Sequence, residues 1–216
     1  MLDPRTLRVY VVTSGAFGPG RDHRTVARAA IVGGATAVQL RAPELDDDVL
    51  LPLATDLATA CRDADVLFVV NDRLDVALQS GASGVHLGQD ADHAAARRHL
   101  GPGRVLGVSV GGVDEAMTAE RAGADYLGVT VWATSTKPEA VPHGPEGLAD
   151  VVRATTIPVV GIGGIAASNA ALVLEAGATG VAVISAVAGA SDPVAAVRTL
   201  ADVVERFGSV RRAERP

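Results

Sequence analysis

Polar side chains that could bind an anionic ligand stand where short apolar runs of the sequence end. Each run is rich in valine, isoleucine or leucine, and the polar residues follow within a few positions. If the runs are parallel strands of a barrel, the loops at their carboxyl ends bring these side chains together. The set comprises Gln39, Arg41, Asn71, Asp72, Arg73, His86, Gln89, Asp90, Ser109, Thr134, Ser135, Thr136, Lys137, Gly163, Gly164 and Ser185.

Three loops predict phosphate binding. The runs Gly-Ile-Gly-Gly-Ile at 161–165 and Val-Ile-Ser-Ala at 183–186 fall at the last two apolar runs, where backbone N–H groups of barrels often hold a phosphate. A tight turn that merely needs glycine is the alternative. The run Thr-Ser-Thr-Lys at 134–137 adds three hydroxyls and an ammonium, which suit a phosphate or a diphosphate. An ordinary polar surface loop remains the other interpretation of that run.

Two carboxylates predict a Mg²⁺ site beside the phosphate donors. Asp72 and Asp90 follow neighbouring apolar runs, so their carboxylates can meet across one edge of the barrel. Mg²⁺ prefers carboxylates together with substrate phosphate oxygens. The alternative for Asp72 is an N-cap on the helix predicted to begin near Leu74, and Asn71 and Asp72 could divide the two roles.

Gln39 and Arg41 are two positions apart, so both side chains project to the same side of a strand. A glutamine and an arginine facing inward are explained by an anionic ligand that carries a polar ring. His86, the only histidine at the end of a run, is interpreted as a satisfied core or rim residue, because no paired nucleophile is apparent. No Cys/His cluster has the spacing of a zinc site. The remaining histidines are predicted to be surface or loop residues: His23, His93, His99 and His143.

The elements that must position these residues are eight apolar runs alternating with eight amphipathic, alanine-rich segments. The runs are continuously apolar, as expected for strands covered on both faces. This order predicts an α/β fold, a single (β/α)8 barrel of parallel strands. The predicted strands are 9–13, 37–40, 67–70, 84–87, 105–108, 126–129, 158–162 and 180–184. The predicted helices are 24–32, 49–64, 74–80, 93–100, 113–122, 147–154, 168–176 and 193–207.

A repeated pattern supports the barrel. Segments 33–38, 80–85, 122–127 and 176–181 each place glycine, then alanine, then two residues that lead into an apolar run. Glycine tolerates the left-handed conformation of a helix end, so the pattern predicts a helix stop followed by a strand start. An open doubly wound sheet would instead need a nucleotide-binding fingerprint after the first strand, and the glycines at 13–20 have the wrong spacing for it.

Bulk properties limit the class of protein. We predict one domain over 1–208 and a charged, fraying tail over 209–216. The net charge of −6 and the lack of a basic stripe argue against nucleic-acid binding. No apolar stretch reaches the roughly 18 residues of a membrane helix, and no signal peptide is evident. The single cysteine, Cys61, is interpreted as a packed structural thiol and favours a reducing, cytoplasmic location.

Together, the segments at the strand ends resemble the thiamine-phosphate synthase family. The combination of Gln-Leu-Arg at 39–41, Asn-Asp-Arg at 71–73, His-Leu-Gly-Gln-Asp at 86–90 and Thr-Ser-Thr-Lys at 134–137 is specific. The Gly-Ala-Asp and Gly-Gly-Ile segments recur in many phosphate-binding barrels and are weak. The resemblance implies condensation of 4-amino-2-methyl-5-hydroxymethylpyrimidine diphosphate with 4-methyl-5-hydroxyethylthiazole phosphate. It implies a dissociative reaction in which pyrophosphate leaves first, and family habit suggests a homodimer.

The resemblance also implies a role for each matching residue. Gln39 would lie near the pyrimidine, and Asp72 would bind Mg²⁺. The second ligand would be Asp90 or Asp92, or Mg²⁺ would rely on Asp72 and water. The diphosphate would be held by Arg41, Asn71, Ser109 and Lys137, with Arg41 and Lys137 acting on the leaving group. The thiazole phosphate would be held by Thr134, Thr136 and the backbone of Gly164, Ile184 and Ser185.

Two positions depart from the family pattern. Pro43 stands where the family usually has a lysine, and the usual second acidic ligand falls at Ala91, between Asp90 and Asp92. These departures keep a catalytically retired barrel that binds thiamine phosphate or its precursors as an alternative. A thiazole tautomerase of the same pathway is another, although such proteins tend to lose the Asn-Asp and Thr-x-Thr-Lys elements. A phosphosugar isomerase would need a strand-end base, for which only His86 could serve.

Overall fold

The computed structural model describes residues 2–15, 17, 20–135, 138 and 140–213, with side chains at the carboxyl end described as far as residue 209. Eight parallel strands pair in chain order, and the last strand pairs with the first to close a barrel. Helices follow the strands in alternation. The predicted (β/α)8 barrel is confirmed.

All eight predicted strands are present, with each bound within two residues of the prediction. Continuous valine and isoleucine runs form them because the inner side of each strand faces the barrel and the outer side faces a helix. The strands are β1 Val9–Val12, β2 Ala37–Leu40, β3 Leu67–Asn71, β4 Gly84–Leu87, β5 Val105–Val110, β6 Tyr126–Thr130, β7 Val159–Ile162 and β8 Gly180–Val183.

The eight predicted helices are also present, and two short helices were missed. A 3-10 helix at Pro4–Leu7 and the four-residue helix after β8 are too short to produce a periodic pattern. The helices are α1 His23–Gly33, α2 Asp47–Asp63, α3 Leu74–Ser80, α4 His93–Leu100, α5 Val113–Arg121, α6 Gly144–Ala154, α7 Ala170–Glu175, α8 Ser185–Ala188 and α9 Pro193–Ala213.

The predicted end of the last helix at residue 207 is wrong. Helix α9 continues to Ala213, because Gly208 is tolerated inside a helix and the arginines after it are good helix formers. The predicted division between a domain over 1–208 and a fraying tail stays a prediction.

The apolar residues form two layers. An outer layer packs the strands against the helices and contains Cys61, which is fully buried. Burial raises the pKa of the Cys61 thiol to about 12, as expected for an inert structural cysteine. An inner cluster fills the barrel with Leu7, Tyr10, Val12, Ala37, Val69, Tyr126, Val160 and Ala182.

The repeated glycine pattern has the predicted function. Gly34 and Gly81 cap α1 and α3 with φ angles of 93° and 77°. Gly123 and Gly177 follow α5 and α7 with φ angles of 94° and 97°. All four glycines are left-handed and precede a strand by three residues, so each repeat ends a helix and starts the next strand.

An ion pair joins the elements at the amino-terminal end of the barrel. Arg97, in the last turn of α4, donates to Asp125 (2.5 Å) and to the carbonyl groups of Gly101, Arg104 and Gly123 (2.8, 2.8 and 3.0 Å). Asp125 also accepts a hydrogen bond from the amide of Leu106. We call this group the base clasp. Among the helices of the described residues, none is long and apolar enough to cross a membrane.

Candidate active site

A pocket at the carboxyl-terminal end of the barrel reaches into the barrel interior as far as Tyr10 and Tyr126. Residues from all eight strands or the segments just after them contribute to it. The lining consists of Tyr10, Val12, Gln39, Arg41, Asn71, His86, Ser109, Tyr126, Gly128, Thr130, Thr134, Ala140, Val160, Ile162, Gly163, Gly164, Ile165, Ala182, Val183, Ile184 and Ser185.

Eight of the ligand residues implied by the resemblance line this one pocket: Gln39, Arg41, Asn71, Ser109, Thr134, Gly164, Ile184 and Ser185. Asp72 directly follows Asn71 and is exposed, and Asp90 is exposed on the loop after β4. Thr136 and Lys137 lie outside the described residues.

The pocket has two chemically different sides. The side formed by β2 to β5 carries polar side chains, among them Gln39, Arg41, Asn71 and Ser109. The side formed by β7 and β8 is apolar or glycine-lined over 160–165 and 182–185. One side can therefore hold an anion through side chains, whereas the other offers backbone groups and an apolar wall.

Arg41 presents its cation to the pocket. Its backbone N–H donates to the hydroxyl of Thr13 (3.2 Å), which fixes the chain just after β2. Its guanidinium makes no hydrogen bond or ion pair with any residue in the described part of the chain. Because a half-buried guanidinium needs acceptors, this arrangement favours an anionic ligand.

His23 was predicted to be a surface or loop residue, and this prediction is wrong. The side chain is buried, with Nδ1 2.9 Å from the hydroxyl of Thr13 and Nε2 2.6 Å from a carboxylate oxygen of Glu44. A Cβ at Gly15 would lie 2.9 Å from that oxygen, so the glycine gives the cluster its space. The sequence signal was weak because the three partners are far apart in the chain.

The carboxylate of Glu44 remains charged to a lower pH than usual. Burial alone would raise its pKa, but the hydrogen bond from His23, a backbone hydrogen bond and the charges of His23 and Arg41 together hold the pKa below the ordinary value. The contact ties the loop after β2, which carries Arg41, to the start of α1.

Asp72 does not cap α3, which settles the alternative left open by the sequence. The N-cap of that helix is Arg73, and it makes no side-chain capping bond. The Asp72 carboxylate instead accepts from the side-chain amide of Asn71 (2.6 Å) and from the backbone of Gly88 (3.3 Å). Its φ of 61° is uncommon for a residue with a side chain, and such conformations cluster at functional sites.

The residues present could hold a Mg²⁺ ion that takes its other ligands from a bound phosphate and from water. No group of three or more His, Cys, Asp or Glu side chains in the described ranges could hold a metal by itself. Mg²⁺ needs only one or two carboxylates when phosphate oxygens and water complete its shell, and the exposed carboxylate of Asp72 fits that requirement. On the next loop Asp92 caps α4 by accepting from Ala95 (2.9 Å), so Asp90 is the less committed of the two acids.

The loop after β7 requires its two adjacent glycines. Gly163 and Gly164 have φ angles of 91° and 62°. A Cβ on either would come within 3.0 Å of Trp132, at 2.7 Å from its carbonyl oxygen or 2.9 Å from its Cβ. Asn169 holds the loop by donating to the carbonyl of Gly164 (3.0 Å) and accepting from the amide of Ala166 (2.8 Å). The sequence analysis missed Asn169.

A chain of five hydrogen-bonded side chains runs across the pocket, and the sequence analysis did not predict it. Gln39 lies 2.7 Å from the hydroxyl of Tyr10, and the hydroxyl groups of Tyr10 and Tyr126 are 2.8 Å apart. His86 lies 2.9 Å from Tyr126 through Nδ1 and 2.9 Å from Ser109 through Nε2. Both ring nitrogens of His86 therefore have partners, which agrees with its interpretation as a satisfied residue.

Comparison with known proteins places this geometry in a family. Residues 9–187 match the family model described as thiamine monophosphate synthase. The thiamine-phosphate synthase of Moorella thermoacetica is 51% identical over 201 residues, covering 92% of this chain and 96% of that protein. The corresponding protein of Methanoregula boonei is 48% identical over 197 residues, covering 90% of this chain and 91% of that protein.

A solved structure agrees with both sequence relatives. Thiamine phosphate pyrophosphorylase from Pyrococcus furiosus superposes with a TM-score of 0.87 at 40% sequence identity, covering 94% of this chain and 98% of that one. The resemblance inferred from the strand-end motifs is confirmed, and the chain belongs to the thiamine monophosphate synthase family.

Proposed function

We propose that the chain is a transferase that joins the two substrates implied by the resemblance, forming thiamine phosphate and releasing pyrophosphate. The observation that carries the proposal is the single pocket in which eight of the predicted ligand residues meet. The names of the relatives support the same reaction. None of those names points to a thiazole tautomerase or a phosphosugar isomerase.

The polar side of the pocket is proposed to hold the pyrimidine diphosphate. Arg41, Asn71 and Ser109 contribute a guanidinium, an amide and a hydroxyl to the lining, and each can donate to a diphosphate oxygen. Lys137 would supply the remaining cation. It is the only lysine among the 19 lysine and arginine residues of the chain, so a position that tolerated either cation would be expected to carry arginine.

The glycine-lined side is proposed to hold the thiazole phosphate. Thr134, Gly164, Ile184 and Ser185 line the pocket there, and Thr136 belongs to the same loop as Thr134. Barrels often bind phosphate after their seventh and eighth strands, at a short extra helix such as α8. Backbone N–H groups would then bind the phosphate, while the apolar wall contacts the ring.

The proposed reaction is dissociative and needs no protein nucleophile. The bond between the pyrimidine methylene carbon and the diphosphate oxygen breaks first, and that oxygen keeps the electron pair. The aminopyrimidine ring stabilises the methylene cation until the thiazole nitrogen attacks it. Arg41 and Lys137 would stabilise the negative charge that grows on the leaving diphosphate, and the two sides of the pocket would hold the rings within attack distance.

Mg²⁺ is proposed to bind at Asp72 and Asp90. When bound, it would neutralise charge on the diphosphate and so favour its departure. Asp72 directly follows Asn71, which lines the pocket. Its carboxylate accepts hydrogen bonds from Asn71 and from the backbone of Gly88, which hold it toward the loop after β4. Ala91 at the usual second ligand position leaves Asp90 for that role, and exposed Pro43 removes one cation that the family usually has.

The test is product formation by the purified chain given both substrates, with Mg²⁺ or with EDTA. Thiamine phosphate and pyrophosphate in equal amounts, formed only with Mg²⁺, would support the transferase and show that Pro43 and Ala91 are tolerated. Binding of thiazole phosphate without any product would contradict the proposal and favour the retired binding barrel. Isomerisation of the thiazole substrate alone would favour the tautomerase.

Two further properties belong to the same proposal. A cytoplasmic location is supported by Cys61, because a free, buried thiol is typical of proteins in a reducing compartment. A homodimer is suggested by the family resemblance, and light scattering of the purified chain tests it.

A further inference from the structure

The hydrogen-bonded side chains Gln39, Tyr10, Tyr126, His86 and Ser109 come from β2, β1, β6, β4 and β5, so the chain they form crosses the barrel interior. Of its two ends, Ser109 is a proposed ligand of the diphosphate, and Gln39 is the residue that the family resemblance puts near the pyrimidine. Its three central members have no assigned role. A chain of this kind has a direction, because each phenol has one hydrogen and each neutral imidazole has one N–H.

We propose that each hydrogen bond in this series is donated in the direction from Gln39 to Ser109. Tyr10, Tyr126 and His86 are then positioning residues for Gln39 and Ser109. The side-chain oxygen of Gln39 is thereby left to accept from the amino group of the pyrimidine. The hydroxyl hydrogen of Ser109 is left to donate to the leaving diphosphate. This inference rests on the proposed function for the identity of the two ligands, but not for the direction itself.

The direction follows from the donor at its start. The side-chain amide nitrogen of Gln39 can only donate, so the oxygen of Tyr10 accepts, and the hydrogen of Tyr10 goes to the oxygen of Tyr126. The hydrogen of Tyr126 then goes to Nδ1 of His86. The ring therefore carries its proton on Nε2 and donates to the hydroxyl oxygen of Ser109.

Both phenols keep the hydrogen that this order requires. Tyr10 and Tyr126 are almost fully buried, and burial raises the pKa of each above its ordinary value. A reversal at any single point would set two hydrogens, or two lone-pair oxygens, against each other in the barrel interior. Leaving one buried polar group unsatisfied costs about 1–3 kcal/mol, so the chain reverses as a whole or not at all.

Two strand positions beside the centre of this hydrogen-bonded series are glycines, which leaves room for its side chains. A Cβ at Gly107 would lie 2.2 Å from Cζ and 2.4 Å from the hydroxyl of Tyr126. A Cβ at Gly128 would lie 3.3 Å from Cε1 of His86. Glycine inside a strand weakens the strand and often marks a close approach by another group. Both glycines therefore accommodate the phenol and the imidazole in their observed places.

The chosen direction is the one that suits an anion. With the opposite direction, Ser109 would turn a lone pair toward the diphosphate and Gln39 would turn its NH₂ group toward the amino group of the pyrimidine. An acceptor would then face an acceptor at Ser109, and a donor would face a donor at Gln39. Fixing the direction before the substrate binds removes these wrong arrangements, which is the benefit of preorganised donors.

The primary test reads the protonated nitrogen of His86 by long-range ¹H–¹⁵N NMR on the ligand-free full chain. The signals are assigned by their disappearance in His86→Asn, with His99→Asn, on the exposed face of α4, as the matched control. The proposal predicts protonated Nε2 and unprotonated Nδ1 at neutral pH. A proton on Nδ1, alone or together with one on Nε2, would overturn the direction.

The kinetic test separates positioning from general support of the fold. Tyr10→Phe removes the acceptor for Gln39 and is expected to raise KM for the pyrimidine diphosphate about tenfold. Tyr126→Phe removes the donor to His86 and is expected to lower kcat about tenfold, while KM for the thiazole phosphate stays within about twofold in both variants. Equal changes in all three constants, or none, would overturn the positioning role. Failure of the proposed function would appear as no product from the wild type, and the NMR result would stand apart from it.

Discussion

At the amino-terminal end of the barrel the guanidinium of Arg97 is surrounded by protein acceptors, whereas at the carboxyl-terminal end that of Arg41 has no partner among the described residues. Arg97 donates to Asp125 and to three backbone carbonyl groups, and only about a fifth of its side chain (21%) is exposed. Arg41 is only partly buried and lines the pocket. The same side chain is therefore a structural tie in one place and a ligand donor in the other.

The two ends of the barrel differ in the same way in their other polar groups. In the base clasp every donor named above meets an acceptor of the protein, so the group stabilises the fold and offers nothing to a ligand. In the pocket, the chain from Gln39 to Ser109 is satisfied internally but leaves one ligand-facing atom at each end. A polar atom left without a protein partner is thus available to a ligand, and four sets of variants test the difference between the two ends of the barrel.

The largest effect is expected at Lys137 and Asp72. If the charge on the leaving diphosphate is stabilised there, Lys137→Ala and Asp72→Ala should each lower kcat at least about a hundredfold. Asp63→Ala, at the exposed end of α2 near the base, is the matched control and should leave kcat unchanged. Near-normal turnover in Lys137→Ala or Asp72→Ala, measured as thiamine phosphate formed, would contradict the leaving-group role.

Exchanging arginine for lysine at the two ends should produce opposite results. Arg97→Lys loses hydrogen bonds of the base clasp, so Tm should fall by about 5–10 °C while kcat/KM stays near that of the wild type. Arg41→Lys loses a forked donor for the diphosphate, so kcat/KM should fall about ten- to a hundredfold with Tm within about 2 °C. Thermal melts and steady-state assays of both variants check this, and a large stability loss in Arg41→Lys would break the comparison.

A smaller effect is expected at two left-handed glycines. A side chain in that conformation costs roughly 1–2 kcal/mol, so Gly34→Ala and Gly164→Ala should both lower the free energy of unfolding. Gly34 caps α1 and has open space around its added Cβ, whereas Gly164 lines the pocket beside Trp132. Only Gly164→Ala should raise KM for the thiazole phosphate, by about tenfold. A similar rise in Gly34→Ala would show that the change acts through the whole fold.

The smallest effect concerns Glu44 and depends on pH. Its folded-state pKa lies below the ordinary 4.5, so its contribution to stability is present above that pH and is lost as the pH falls through the folded-state pKa. Because the carboxylate is half exposed, Glu44→Gln should lower Tm by at most about 3 °C near neutral pH. The difference from the wild type should vanish well below pH 4.5, and a difference that grows on acidification would be the wrong sign.

The sequence predicted the fold well because the barrel depends on local signals. Valine-rich runs specify strands covered on both faces, and the glycines at 34, 81, 123 and 177 end helices through backbone conformation alone. The pocket residues followed from the rule that strand ends of such barrels meet. The ends of helices were less predictable, as α9 illustrates, because Gly208 is compatible with either outcome.

The contacts that cross the barrel could not be predicted in the same way. Tyr10 and Tyr126 are 116 positions apart, and they meet only because the closed barrel brings β1 and β6 to opposite sides of one narrow interior. The sequence does indicate that both side chains point inward, because Tyr10 is two residues from Val12 and Tyr126 is two residues from Gly128 on their strands. Their distance from each other depends on closure and register, which no local pattern encodes. His23 was misjudged for the same reason.

The proposed role of Lys137 in binding a diphosphate can be tested directly, because it is the one lysine of the chain. Reductive methylation modifies Lys137 and the amino terminus, and the amino terminus serves as the internal control. Inorganic pyrophosphate with Mg²⁺, at about ten times its dissociation constant, should slow methylation of Lys137 about tenfold and leave the amino terminus unaffected. Equal rates at Lys137 with and without bound pyrophosphate would contradict the account.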